Sequence, residues 1–109
     1  MTDRELLELA AKAAGLPVEW DDDGYVIATK LRGHLTNYDP WDPLLDDGDA
    51  LRLAVKLNMC VTSFTDEQMV GFVIGKEGYN VSELPGNDLY AATRRAIVRA
   101  AAEIGRNMK

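Results

Sequence analysis

The segment Pro85 to Met108 constrains the fold most. Pro85-Gly-Asn-Asp88 breaks the chain and supplies a capping residue, and Ile97, Ala100, Ala101, Ile104 and Met108 then recur at helical spacing on one face. A helix striped in this way must cover its apolar face with another element. The other end of the chain offers a second helix. Thr2-Asp-Arg-Glu5 has the form of a capping box, and Leu6, Leu9, Ala10 and Ala13 make an apolar stripe that Leu7 and Ala14 widen. Gly15, followed by Leu16-Pro17, supplies its stop.

Between these helices the period changes. Val18-Glu-Trp20 and Tyr25-Val-Ile-Ala28 flank Asp21-Asp-Asp-Gly24, and Asp-Gly between β-formers predicts an antiparallel hairpin. Residues Thr29 to Asp46 keep no period and contain Gly33, Pro40 and Pro43, so they form the longest irregular segment. Asp49 to Leu57 is rich in helix formers and apolar on most of its circumference, which predicts a central helix buried against the sheet. Met59 to Phe64 and Met69 to Ile74 read as strands about a turn at Thr65-Asp-Glu-Gln68. Tyr79 to Leu84 reads as a further strand after Gly75-Lys-Glu-Gly78.

The expected fold is therefore α+β, an α/β/α sandwich with a mostly antiparallel sheet of four or five strands in the order α-β-β-α-β-β-(β)-α. The two end helices are expected on one face and the central helix on the other. A length of 109 residues at 47% apolar content suits one core, so residues 1–109 are taken as a single domain. No run of about eighteen apolar residues occurs, and Met1-Thr-Asp-Arg-Glu5 does not resemble a signal peptide, so a cytoplasmic protein is expected.

Charge narrows the partners. The net charge of −6 opposes non-specific binding to nucleic acid. Residues 1–86 hold 16 acids and 7 bases, a net of −9, whereas residues 87–109 hold 2 acids and 5 bases, a net of +3. The basic charge is thus gathered at the C-terminal end.

Three stretches together resemble the small bacteriophage proteins grouped as the phage ABA sandwich domain. They are Glu19 to Gly24, Trp41 to Leu57 and Asn87 to Ala102. The resemblance implies a sheet held between helices and a phage or prophage protein working in the bacterial cytoplasm. It implies no reaction, cofactor or catalytic residues.

The densest chemistry lies in Asn37 to Ala50, which holds five aspartates, two prolines and a tryptophan. Calcium in an EF-hand register fails. With Gly48 at the sixth loop position, Pro43 and Leu45 fall where ligands belong and Ala54 where the bidentate glutamate belongs; with Gly24 there, the loop ends on Lys30. Asp46, Asp47 or Asp49 instead suits the start of the central helix, where an acid is favoured by the helix dipole. Pro40 and Pro43 stiffen the chain about Trp41, which either lies over the apolar edge of the sheet or faces a partner. His34 is the one histidine and has no catalytic motif around it. Cys60, the one cysteine, lies in an apolar strand and reads as a small core residue rather than a nucleophile. Gly71 to Lys76 lacks any phosphate-loop spacing, and its glycines are expected to mark a bulge and a turn.

Arg94, Arg95 and Arg99 share the last helix. They either pair with neighbouring acids, Arg99 with Glu103, or form an anion site with Tyr90 as a stacking surface. No metal, cofactor or catalytic residue is expected. The first functional expectation is a phage accessory protein that binds a host or phage protein through His34, Tyr38 and Trp41, blocking a host factor or defence component. The acidity of the first 86 residues also permits mimicry of nucleic acid. The alternative is a binder that sequesters an anionic nucleotide or signal molecule at Arg94, Arg95, Arg99 and Tyr90.

Overall fold

A computed structural model of the chain describes residues 1–16, 18–20, 26–28 and 39–108, with backbone alone for 18–20, 26–28 and 39–40. Within these residues the order is α1 (Asp3–Ala14), β1 (Val18–Trp20), β2 (Val26–Ala28), β3 (Asp39–Pro40), α2 (Asp47–Lys56), β4 (Cys60–Ser63), β5 (Gln68–Ile74), β6 (Glu77–Glu83) and α3 (Leu89–Arg106).

The helix boundaries follow their caps. The Thr2 hydroxyl accepts from the Glu5 amide at 3.1 Å, and the Glu5 carboxylate returns to the Thr2 amide at 3.5 Å, so both halves of the capping box form. Gly15 closes α1 in the left-handed conformation, φ 69°, with its amide on Ala11 and Lys12 carbonyls. Asp46 caps α2 by accepting from the Asp49 amide at 2.8 Å. Asp88 caps α3 by accepting from Tyr90 and Ala91 at 3.0 and 3.1 Å.

The α+β class holds, but the expected single sheet of four or five strands does not. The strands form two separate antiparallel sheets of three, β1-β2-β3 and β4-β5-β6. The expected hairpin pairs Val18 with Ala28 and Trp20 with Val26. A short strand from the segment read as irregular then adds to β2 at Ile27 and Ala28. The Asp-Gly turn of that hairpin lies outside the described residues. In the second sheet β5 is central, pairing Cys60 with Gly71 and Asn80, and Val61 with Val70 and Val81. Gly71 stands in unbroken register, so the expected bulge is absent there. Gly75, φ 66°, makes the turn into β6.

The helices are also arranged differently from the expectation. The helix at the centre is α3, which rests on β5 and β6, carries α1 along much of its length and meets α2 beside it. Its buried residues are mostly small: Ala92, Ala96, Ala100, Ala101, Ala102 and Gly105, with Ile97 and Val98. Small side chains let a neighbouring helix come close. α1 answers with Leu6, Leu7, Ala10, Ala11 and Ala14.

α2 does not lie across the sheet from α3. It stands on the same face, because the groove it shares with α3 is lined by Val61, whose register partners Val70 and Val81 form the buried face. Only Ala50, Leu53 and Ala54 of α2 are buried, while Leu51 and Val55 are exposed. The opposite face of the sheet carries Cys60, Met69, Gly71, Val73 and Asn80. Cys60 is consequently exposed, not a core residue, because its position alternates away from the helices.

Candidate interaction groove

Trp41 is buried, 4% exposed, and belongs to the core cluster with Leu6, Ala50 and Ala96. The expectation of Trp41 as a partner-facing residue is therefore corrected: its ring fills the core and leaves nothing for a partner to grip. Pro43 beside it is fully buried, and Leu44 packs on the same cluster. Carboxylates at Asp42 and Asp49 help to hold this stretch. The Asp42 amide donates to Asp49 at 3.0 Å, and the Leu44 amide donates to Asp42 at 3.0 Å. Partial burial raises the Asp42 carboxyl above its ordinary range, against the opposing effect of the Leu44 and Leu45 amides, with Asp49 and Asp3 adding further repulsion. His34 and Tyr38 lie outside the described residues.

The three arginines of α3 diverge. Arg94, 15% exposed, donates from Nη1 to Asp47 at 2.6 Å and from Nε to the Leu44 carbonyl at 2.8 Å. Arg95 reaches across to Asp3 at 3.1 Å, tying α3 to the start of α1. Arg99 bonds the Ser82 carbonyl at 3.0 Å and pairs with Glu83, so the expected Arg99–Glu103 pair does not form and Arg106 takes Glu103 instead. Each guanidinium thus has an acid of this chain on a different element, and the three do not converge on one point.

A groove of about 500 Å³ runs between α2, β4 and the first turns of α3. It is lined by Asp47, Ala50 and Leu51 of α2, Val61 and Ser63 of β4, and Leu89, Tyr90, Thr93, Arg94 and Ile97 of α3. Its lining is mainly apolar, yet it stands open. Tyr90 is 72% exposed and Leu51 62%, and Leu89 and Val61 are exposed as well. Single exposed apolar residues are ordinary on a protein surface; four that line one concave site are not.

The groove is rigidly framed. Arg94 clamps the start of α2 to α3. Gln68, 1% exposed, donates to the Phe64 carbonyl at 2.6 Å and accepts from Thr93 at 2.8 Å, fixing the end of β4 to α3. Burying an amide side chain is tolerated here because both of its ends are bonded. Sequence reading had singled out Tyr90, but not Leu51, Val61 or Leu89. The available signal was the all-round apolar surface of Asp49 to Leu57, which exceeds what one packed face can cover.

Asp47 and Arg94 are the charged side chains of the groove and they bond each other. Among the described residues no cluster of three or more His, Cys, Asp or Glu could hold a metal ion. Among them, too, no helix is long and apolar enough to cross a membrane. Comparison of the chain with protein-family models, curated proteins and solved structures gives no match.

Proposed function

We propose that this chain is a small non-catalytic binding protein that takes hold of a partner protein in the groove between α2, β4 and α3. The observation that carries the reading is the grouping of Leu51, Val61, Leu89 and Tyr90, exposed, around one concave and mainly apolar site. Aromatic and aliphatic side chains in a preformed groove are the usual anchors of a protein interface, and tyrosine is enriched among its strongest contacts. The phage or prophage setting and the bacterial cytoplasm implied by the sequence resemblance belong to this reading, with a host or phage protein as the partner. Blocking a host factor needs only such a surface.

The anionic-ligand alternative draws no comparable support. Its arginines point to Asp47, Asp3 and Glu83, and only Arg94 and Tyr90 reach the groove.

Photo-crosslinking from position 90 tests the reading, with position 80 on the opposite sheet face as the comparison. In a bacterial lysate, a defined protein adduct is expected from position 90, lost when Leu51→Ser is added, and no such adduct from position 80. Equal adduct patterns from the two positions would remove the groove from consideration.

A further inference from the structure

We propose that the groove accepts an extended, basic segment of the partner as an added strand on the open edge of β4. This rests on the groove being the docking site and goes on to assign the conformation and charge of what enters it.

The backbone argument comes from register. The Phe64 amide donates to the Glu67 carbonyl at 2.9 Å, closing the β4–β5 hairpin. In an antiparallel ladder bonded and non-bonded pairs alternate, so Thr62 opposite Met69 and Cys60 opposite Gly71 continue the bonded series. Val61 and Ser63 fall on the non-bonded pairs, and their N–H and C=O groups point away from β5. These are also the two β4 residues whose side chains line the groove. Both residues therefore offer ladder bonds to whatever lies alongside, and Val61 adds apolar contact.

Among the described residues no strand pairs with that side of β4. Nor does the strand carry the usual protection. Cys60-Val-Thr-Ser63 has no charge and no proline, whereas the other edge strand, β6, begins and ends with Glu77 and Glu83. A strand laid on β4 would send alternate side chains into the groove that Leu51, Val61, Tyr90 and Ile97 line.

Charge selects the segment. Exposed Asp46 and Asp47 stand at the start of α2, Asp88 at the start of α3 and Asp66 in the turn after β4. Arg52 pairs with Asp46 and Asp49 and Arg94 with Asp47, and Lys56 stands exposed at the end of α2, so the five acids Asp46, Asp47, Asp49, Asp66 and Asp88 outnumber the three bases of the same framework. A lysine- or arginine-bearing strand would meet complementary charge along the rim. A second copy of this chain would set these acids against the same acids, which disfavours self-pairing at this edge.

The test uses short labelled peptides and the full chain. A peptide alternating valine with lysine should bind by fluorescence anisotropy, weakening with added salt, and should slow hydrogen exchange at the Val61 and Ser63 amides. Replacing its lysines by glutamate, or N-methylating the backbone positions on one strand edge, should each weaken binding about tenfold. Tyr90→Ser with Leu51→Ser should weaken it similarly while leaving the circular dichroism spectrum unchanged. Equal binding of the lysine and glutamate peptides, indifference to N-methylation, or no binding at all would overturn the proposal. Slow exchange at Val61 and Ser63 without peptide, in a sample that sediments as a dimer, would overturn it in favour of a second copy. A crosslink from position 90 in lysate together with unchanged exchange at β4 would keep the groove as the docking site and reject strand addition.

Discussion

Gly105→Ala sets two physical effects against each other at a place where the structure decides the winner. Gly105 lies in the last turn of α3, buried, where α1 crosses. A Cβ added there would collide with the Leu9 carbonyl oxygen and lie 2.9 Å from its carbonyl carbon. Both are main-chain atoms of α1, so no rotamer can move them aside, and the helices must separate by about 1 Å over a close-packed contact. Overpacking of a tight core costs roughly 1–3 kcal/mol, and an obstruction made of backbone belongs at the upper end, about 3 kcal/mol. Alanine would return at most about 1 kcal/mol of helix propensity, less so near a helix end. The expected net loss is about 2 kcal/mol, which for a domain of this size lowers the melting temperature by roughly 8–16 °C. Gly48→Ala in α2 is the matched control. Its Cβ would meet the Asp46 carboxylate, which caps α2, at 3.2 Å and the Arg52 guanidinium at 3.3 Å, side-chain groups and not backbone. Its effect should stay within about 1 kcal/mol of the wild type. Urea unfolding followed by circular dichroism, with m-values compared, measures both. A Gly105→Ala protein as stable as the wild type would refute the close helix crossing on which the account of the core depends.

Three further substitutions probe the start of α2 and the loop that leads into it. Arg94→Ala should cost about 1–3 kcal/mol in urea titrations because it leaves the half-buried Leu44 carbonyl unbonded, whereas Asp47→Ala, removing a partner that is 67% exposed, should cost less than about 1 kcal/mol. Equal losses would show that the ion pair, and not the carbonyl bond, holds α2 to α3. Asp42→Asn should behave oppositely with pH. Burial raises the folded carboxyl above its unfolded value of 3.8, so the folded state favours the protonated form. The stability this gives is complete below the unfolded value and is lost as pH rises through the raised folded one. The asparagine keeps the oxygen that accepts from Leu44, so the variant should gain on the wild type as pH climbs from 3 to neutral and then level off. A pH-independent difference in unfolding free energy would contradict burial as the governing cause.

The local elements were legible because each is specified by a few neighbouring residues. Thr2 and Glu5 cap α1 reciprocally, Gly15 ends it, and Asp46 and Asp88 begin the other two helices, all through contacts spanning three or four positions. The β4–β5–β6 meander follows from short turns in the same way. What the sequence left open was the assignment of elements to layers. β3 adds to β2 through two residue pairs at Asp39–Pro40, too few to leave a period in the sequence. The identity of the central helix turned on alanines. Ala96, Ala100, Ala101 and Gly105 contribute little to a hydrophobic stripe, yet their small size lets α1 lie directly on α3 and makes that helix the hub.

The candidate site was misread for a related reason. Trp41 drew attention as a large aromatic held between prolines, and the same prolines that could present it to a partner also turn it into the core beside buried Pro43. Stiffening a loop fixes a direction without revealing which. The apolar excess of Asp49 to Leu57 was read as deep burial, but a helix packed on one neighbour can cover one stripe only: Ala50, Leu53 and Ala54 face inward, and Leu51 and Val55 remain outside. Leu51 then meets Val61 because α2 and α3 share one face of a sheet whose edge strand, β4, extends past their cover. Exposed apolar residues on three elements become one surface only through that arrangement, which no local pattern encodes. On the proposed binding role Leu51 belongs to a surface that a partner covers, whereas Val55, one turn on, lies outside the groove lining.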